Sequence, residues 1–193
     1  MTTNAIAQRL NMAPPSASGM IKKLARLKLV DHMPYHDVQL TAGGEKIALE
    51  VIRHHRLIEL YLARHLGISL DRVDEQAERL EHVLSEDLEE HIAQSLGDPT
   101  HDPHGDPIPT RAGAIEAVHH PRLADLRPGQ RGVVVRVSDR DPTVLRGLSD
   151  QHLFPGVLVK VVDVAADGSM QLQTGRARLQ VSVDHARAVF IAL

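Results

Sequence analysis

Apolar residues recur at helical spacing from the start of the chain to about residue 96, then alternate at strand spacing after residue 122. Ile6 and Leu10 share a face of a short helix over residues 2–10, with Thr2 or Thr3 as its N-cap. Asn11-Met12-Ala13-Pro14 is a turn, and Pro15 suits the first turn of a second helix through Ile21, Leu24 and Leu27 to about Lys28. Leu29–His32, Met33–Asp37 and Val38–Leu40 form two short extended pieces around a polar tip. Thr41 caps a long amphipathic helix from Ala42 to about His65, closed by Gly67. Asp71 or Asp74 opens another helix, and Ser85 caps a third that runs to Leu96. Val73, Ala77, Leu80, Val83, Leu84, Leu88 and Ile92 form an apolar set placed to line an intersubunit seam.

From Asp98 to Pro121 the composition changes: four X-Pro pairs between Asp98 and Pro109 break regular structure and predict an extended connector, with a helical turn near Ala112–Val118 before His119-His120-Pro121. Beyond it, Val133–Val137, Val157–Val164, Met170–Thr174, Leu179–Val183 and Val189–Leu193 read as strands, with a helix over Thr143–Leu153. The expected fold is therefore mainly α with a small C-terminal β-barrel. The domains are 1–46, 47–98, a proline-rich linker 99–121, and 122–193.

Composition narrows the class. The apolar content of 42% suits a globular chain, and the absence of Cys removes both disulfides and thiolate metal ligands. No apolar run approaches a membrane span and no signal-peptide pattern opens the chain, so a cytoplasmic protein with no membrane partner is expected. The net charge of -3 is unevenly distributed. Residues 1–46 carry six basic against three acidic side chains, whereas 71–98 carry ten acidic against two basic. A polyanion partner at one end and a cation at the other would explain that division; solvated helix faces are the plainer alternative.

Two short helices joined by a tight turn and followed by an extended hairpin read as a winged helix-turn-helix. The second helix presents Pro15, Ser16, Ser18, Gly19, Lys22 and Lys23. The lysines suit phosphates, and the serines suit phosphates or base edges of double-stranded DNA. His32 and His36 stand at the wing, within reach of DNA backbone.

The central segment carries the candidate chemistry. His55 and Glu59 are four residues apart on one helix face, and Glu78, Glu81 and His82 cluster on the next helix. Two helices that each offer carboxylate and imidazole suit a divalent cation that accepts hard oxygen and borderline nitrogen donors. A metal-dependent enzyme built on such a helical carboxylate and histidine site is the competing reading. Against it, the chain has no HExxH, no Gly-rich phosphate loop and no nucleophile elbow. The other histidines, His104 among them, read as surface, packing or linker residues.

These features together resemble the diphtheria toxin repressor and manganese transport regulator (DtxR/MntR) family. The resemblance rests on Ile6–Leu10 through Gly19–Leu24, on His54–Glu59 followed by Glu78–Ser85, and on Pro103-His104-Gly105-Asp106-Pro107-Ile108-Pro109. It implies a homodimeric, metal-activated repressor of metal-homeostasis genes that binds a palindromic operator and is not an enzyme. It also implies a helical metal-binding and dimerisation domain and a C-terminal SH3-like domain similar to FeoA. Glu78, Glu81 and His82 match one metal site, with His55 in the manganese branch, and His55, Glu59 and Asp74 match the adjacent one. The family's iron regulators have Cys where this chain has Glu78, so the resemblance favours Mn²⁺, with Fe²⁺ as the alternative. Family members begin with an earlier helix that adds ligands. The chain starts inside what would be the following helix, so one site is expected to be incomplete. Asp139 and Asp141 are the nearest substitutes for ancillary ligands from the C-terminal domain.

Overall fold

The computed structural model describes residues 1–31, 37–116 and 118–193; His32 and His36 lie outside the described residues. The chain divides into two compact units, Met1–Ile52 with Arg111–Ala114, and Arg53–Thr110 with Ile115–Leu193.

In the first unit, α1 (Thr3–Arg9) is capped by Thr2, whose hydroxyl accepts from the Ala5 amide. Helix α2 (Pro14–Arg26) begins on its two prolines and buries Ala17 and Ile21. A two-stranded ladder of β1 (Val30–Asp31) and β2 (Gln39–Leu40) follows. Thr41 then donates to the Lys28 carbonyl at 2.8 Å and caps the Gly44 amide at 3.0 Å, which fixes the start of α3 (Ala42–Leu66).

The second half of α3 belongs to the second unit and is enclosed from two sides. Leu57 and Leu60 join Ala93 of α5 (Glu86–Ser95) and its C-cap Leu96, together with Ile108. Ile58 and Leu62 join Val73 and Ala77 of α4 (Leu70–Glu81). Val73 and Ala77 thus pack inside the subunit rather than along the expected seam, and Leu80, Val83 and Leu88 remain exposed. Helix α4 starts at Leu70 after Ser69, not at Asp71 or Asp74.

The C-terminal part of the same unit is a five-stranded antiparallel sheet, ordered β6-β5-β4-β3-β7, over a core that includes Leu148, Leu153, Met170, Leu172 and Ile191. Its strands are β3 (Arg131–Val137), β4 (Leu158–Val164), β5 (Met170–Thr174), β6 (Ala177–Val181) and β7 (Val189–Ala192). In place of an expected closed ring, β6 and β7 are its two edges. The outer side of β7 is met by the Arg122 bridge to Phe190 and by Pro121, whose carbonyl accepts from Ile191. Helix α6 (Pro142–Asp150) is capped by Asp141, and α7 (Val183–Ala188) was not expected from the sequence. Strand β3 carries a register shift between Val134 and Arg136 opposite β7. No helix forms over the described residues of 112–118.

Candidate metal centre

Helix α3 places His55 and Glu59 one turn apart. Glu59 is only 2% exposed, between Ile58 and Leu60 in a turn that is otherwise apolar. An ionised carboxylate at that depth is costly unless its charge is met. Two imidazoles meet it: His55 Nε2 lies 3.6 Å and His104 Nδ1 3.8 Å from the same oxygen, Glu59 Oε1. Both separations exceed hydrogen-bond length. Glu59 Oε1 and His104 Nδ1 are buried without a hydrogen-bond partner, a condition that folded proteins rarely leave uncompensated.

The far nitrogen of each ring is already engaged. His55 Nδ1 lies 2.7 Å from Glu81 Oε2, and His104 Nε2 lies 3.1 Å from the Leu70 carbonyl oxygen. Donation through those nitrogens orients both rings and leaves Nε2 of His55 and Nδ1 of His104 directed at Glu59. Asp74 Oδ1 is 3.2 Å from His55 Nε2. The donor atoms of His55, Glu59 and Asp74 lie within 4.8 Å of one another, as do those of Glu59, Asp102 and His104. Glu59 is common to both groups. Unpartnered buried donors, oxygen and imidazole chemistry, and rings held from behind all fit a divalent cation.

The electrostatics agree. Burial alone would lower the pKa of His55, but the Glu59 carboxylate, and then Glu81, raise it to about 9. Burial likewise opposes protonation of His104, and Glu59 and Asp102 override it to about 9. Burial would raise Glu59, yet His104 and His55 hold it at about 2. Burial, reinforced by the Glu59 charge, pushes Asp102 up to about 7. Protons therefore occupy the positions that a cation would take, and a metal must displace them.

The other expected ligands fall into different places. Glu81 turns toward α3 and holds His55 from behind. Glu78 is exposed and stands outside both groups. Helix α4 ends at Glu81, so His82 is its C-cap, 73% exposed and 3.8 Å from Glu81 Oε1. Asp141 caps α6, accepting from the Thr143 amide at 2.8 Å, and is thereby accounted for structurally. Asp139 lines a cleft with Arg56, Asp106 and Arg136.

Sequence reasoning missed Asp102 and His104. Both sit in the stretch read as a connector, yet Asp102 is 8% and His104 0% exposed. Far from hanging free, the stretch folds back on α3 and α4. The signal was present in Pro103-His104-Gly105-Asp106-Pro107, a turn too specific for a spacer.

In the first unit, Pro15, Ser16, Gly19, Lys22 and Lys23 lie on the exposed face of α2 and Ser18 is half-buried. A Cβ added at Gly19 would meet nothing within 4 Å. Packing therefore does not require glycine there.

Residues 1–38 match the model of the iron dependent repressor N-terminal DNA binding domain. Residues 41–110 match that of the iron dependent repressor metal binding and dimerisation domain, and 122–193 that of the FeoA domain. The iron-dependent repressor IdeR of Mycobacterium bovis is 30% identical over 199 residues, which cover 95% of this chain and 85% of that protein. The chain belongs to the DtxR/MntR family.

Further relatives fit that placement. The diphtheria toxin repressor of Corynebacterium efficiens is 36% identical over 104 residues, 54% of this chain but 45% of that protein, so the chain matches less than half its length. A solved manganese-dependent transcriptional repressor in complex with manganese superposes with a TM-score of 0.90 at 34% identity, covering 100% of this chain and 90% of that one. Members of this DtxR/MntR family are metal-dependent transcriptional repressors, not enzymes. In this member the positions matched to the adjacent site, His55, Glu59 and Asp74, form a compact group, and Asp102 and His104 extend it. Among the described residues, no helix is long and apolar enough to cross a membrane.

Proposed function

We propose that this DtxR/MntR-family member is a manganese-responsive DNA-binding repressor of metal-homeostasis genes, with Fe²⁺ the alternative ion. The observation that carries the reading is the convergence of two imidazole nitrogens on the buried Glu59 carboxylate. His55, Glu59, Asp74, Asp102 and His104 would hold the cation, with Glu81 orienting His55. Glu78 and His82, also on the expected ligand set, would serve a further site nearer the solvent. The side chains grouped around Glu59 offer only oxygen and nitrogen donors, which suits Mn²⁺ better than softer ions. The manganese-bound relative supports the same preference.

Once bound, the cation supplies positive charge that draws α3, α4 and the 102–104 turn together. Helix α2 would then read a palindromic operator through Pro15, Ser16, Ser18, Gly19, Lys22 and Lys23. The protein would act as a homodimer whose seam uses the exposed Leu80, Val83 and Leu88. Fluorescence anisotropy of an operator duplex at fixed salt tests this. Binding should tighten in Mn²⁺ relative to chelator, and equal affinity in both would overturn the proposal.

A further inference from the structure

The 102–107 turn bears two of the donors that face Glu59, and Pro103 and Pro107 fix two of its φ angles without setting how it sits against α3. Within it, Asp102 Oδ1 accepts from the amides of His104 and Asp106, each at 2.9 Å, the Asp102 amide donates to the Asp106 carbonyl at 2.9 Å and the Gly105 amide to the Asp102 carbonyl at 3.1 Å. Further restraint comes from Leu70, whose carbonyl accepts from His104 Nε2 at 3.1 Å, and from β3. Val137 donates to the His104 carbonyl at 2.8 Å. Gly105, at φ 92°, presses so closely on β3 that a Cβ would stand 2.0 Å from the Val135 carbonyl oxygen.

The register shift in β3 brings Arg136 opposite Phe190 of β7. Its guanidinium lies over that ring, 3.8 Å from the centroid, and its NH1 donates to Asp106 Oδ1 at 3.0 Å. From the other side Arg56 reaches the same carboxylate oxygen at 3.7 Å, places its Nε 3.4 Å from Asp102 Oδ2 and donates to the Pro107 carbonyl. Asp106 is thus shared by two guanidiniums, one on α3 beside the metal centre and one on the C-terminal sheet.

We propose that Arg136, seated on Phe190 and gripping Asp106, is a positioning residue that holds the 102–107 turn so that Asp102 and His104 face Glu59. The proposal rests on the metal-centre reading given above, and it assigns the C-terminal sheet a part in that centre through residues that touch no ligand. Its consequences are separable from general stability. Arg136 is a partly exposed side chain, and its loss leaves the apolar core of the sheet intact.

The test compares full-length wild type with Arg136→Ala and Arg136→Lys, by metal-free amide hydrogen exchange and by Mn²⁺ calorimetry. In the Ala variant, exchange at His104, Gly105 and Asp106 should speed up at least ~10-fold while Leu57–Leu60 and β5 keep their protection. Its Mn²⁺ affinity should fall about 10- to 100-fold, the range seen when groups that orient ligands are removed. The Lys variant should recover part of both effects, because an ammonium can still pair with Asp106 and lie on Phe190. Unchanged exchange across 102–107 in the Ala variant overturns the proposal, as does uniform acceleration over the whole chain. If wild type binds no Mn²⁺, the metal reading fails, and the exchange result still decides whether Arg136 positions the turn.

Discussion

A carboxylate as deeply buried as that of Glu59 would ordinarily take up a proton, yet its pKa is held at about 2 by His104 and His55. Replacing Glu59 with Gln keeps the shape and removes the charge. Mn²⁺ affinity should then drop at least ~10-fold by calorimetry. NMR titration of the imidazole protons should also show both histidines falling well below about 9. Retained affinity in Glu59→Gln would remove Glu59 from the centre. The same shifts set a pH dependence for the metal-free protein. Histidines raised in the folded state stabilise it fully below their unfolded value near 6.5, and that contribution disappears as pH rises through about 9. Asp102, raised from 3.8 to about 7, works in the same direction over a lower window. Metal-free melting temperature should therefore fall between pH 6.5 and 9, while the gap to the Mn²⁺-loaded form widens as protons cease to compete. A gap that narrows over this window contradicts the proton-for-metal exchange. His55 and Glu59 were legible in sequence because helical spacing alone puts them on one face. Asp102 and His104 were not, because an irregular segment has no periodicity to report which way its side chains turn.

At the scale of elements, α2 offers a way to separate packing from recognition. Nothing lies within 4 Å of a Cβ built at Gly19, and the position is mid-helix. Alanine there should raise the stability of the fold by about 0.5–1 kcal/mol, since glycine is a poor helix former. If DNA backbone approaches α2 at this point, the same change should weaken operator binding. A Gly19→Ala variant that is both more stable and undiminished in DNA affinity would take this face out of contact with DNA. Lys23→Ala differs in kind: it should weaken all duplexes alike and lower the salt slope by about 1. Regular elements were mostly legible. The proline entry to α2, the Thr41 and Ser85 caps and the alternation of the five strands each left a local trace. Helix α7 did not, because six residues are too few to display a helical period. The register shift in β3 was hidden for another reason. It depends on how β3 pairs with β7, some fifty positions along, and strand pairing is a long-range property that alternation within one strand does not encode.

For the whole molecule, the governing relation is thermodynamic. Helix α3 supplies its first residues to the unit that holds α2 and its later residues, His55 and Glu59 included, to the unit that holds the candidate metal centre. If a cation at Glu59 favours the DNA-binding state, then DNA must favour the cation by the same factor, because both ligands act on one equilibrium. Couplings of this kind typically amount to roughly 1–3 kcal/mol, or about 5- to 150-fold. Two independent measurements fix the factor: operator affinity with and without saturating Mn²⁺, and Mn²⁺ affinity by competition with a fluorescent chelator, with and without operator. Both should be made at protein concentrations where the oligomeric state is constant, since metal-linked dimerisation would otherwise enter one ratio more than the other. The two ratios should agree and exceed 5. Ratios of one in both directions would mean that the centre at Glu59 binds metal without instructing DNA recognition. Unequal ratios at constant oligomeric state would require a further metal-dependent equilibrium, for which the exposed pair of Glu78 in the last turn of α4 and His82 at its C-cap is the first place to look.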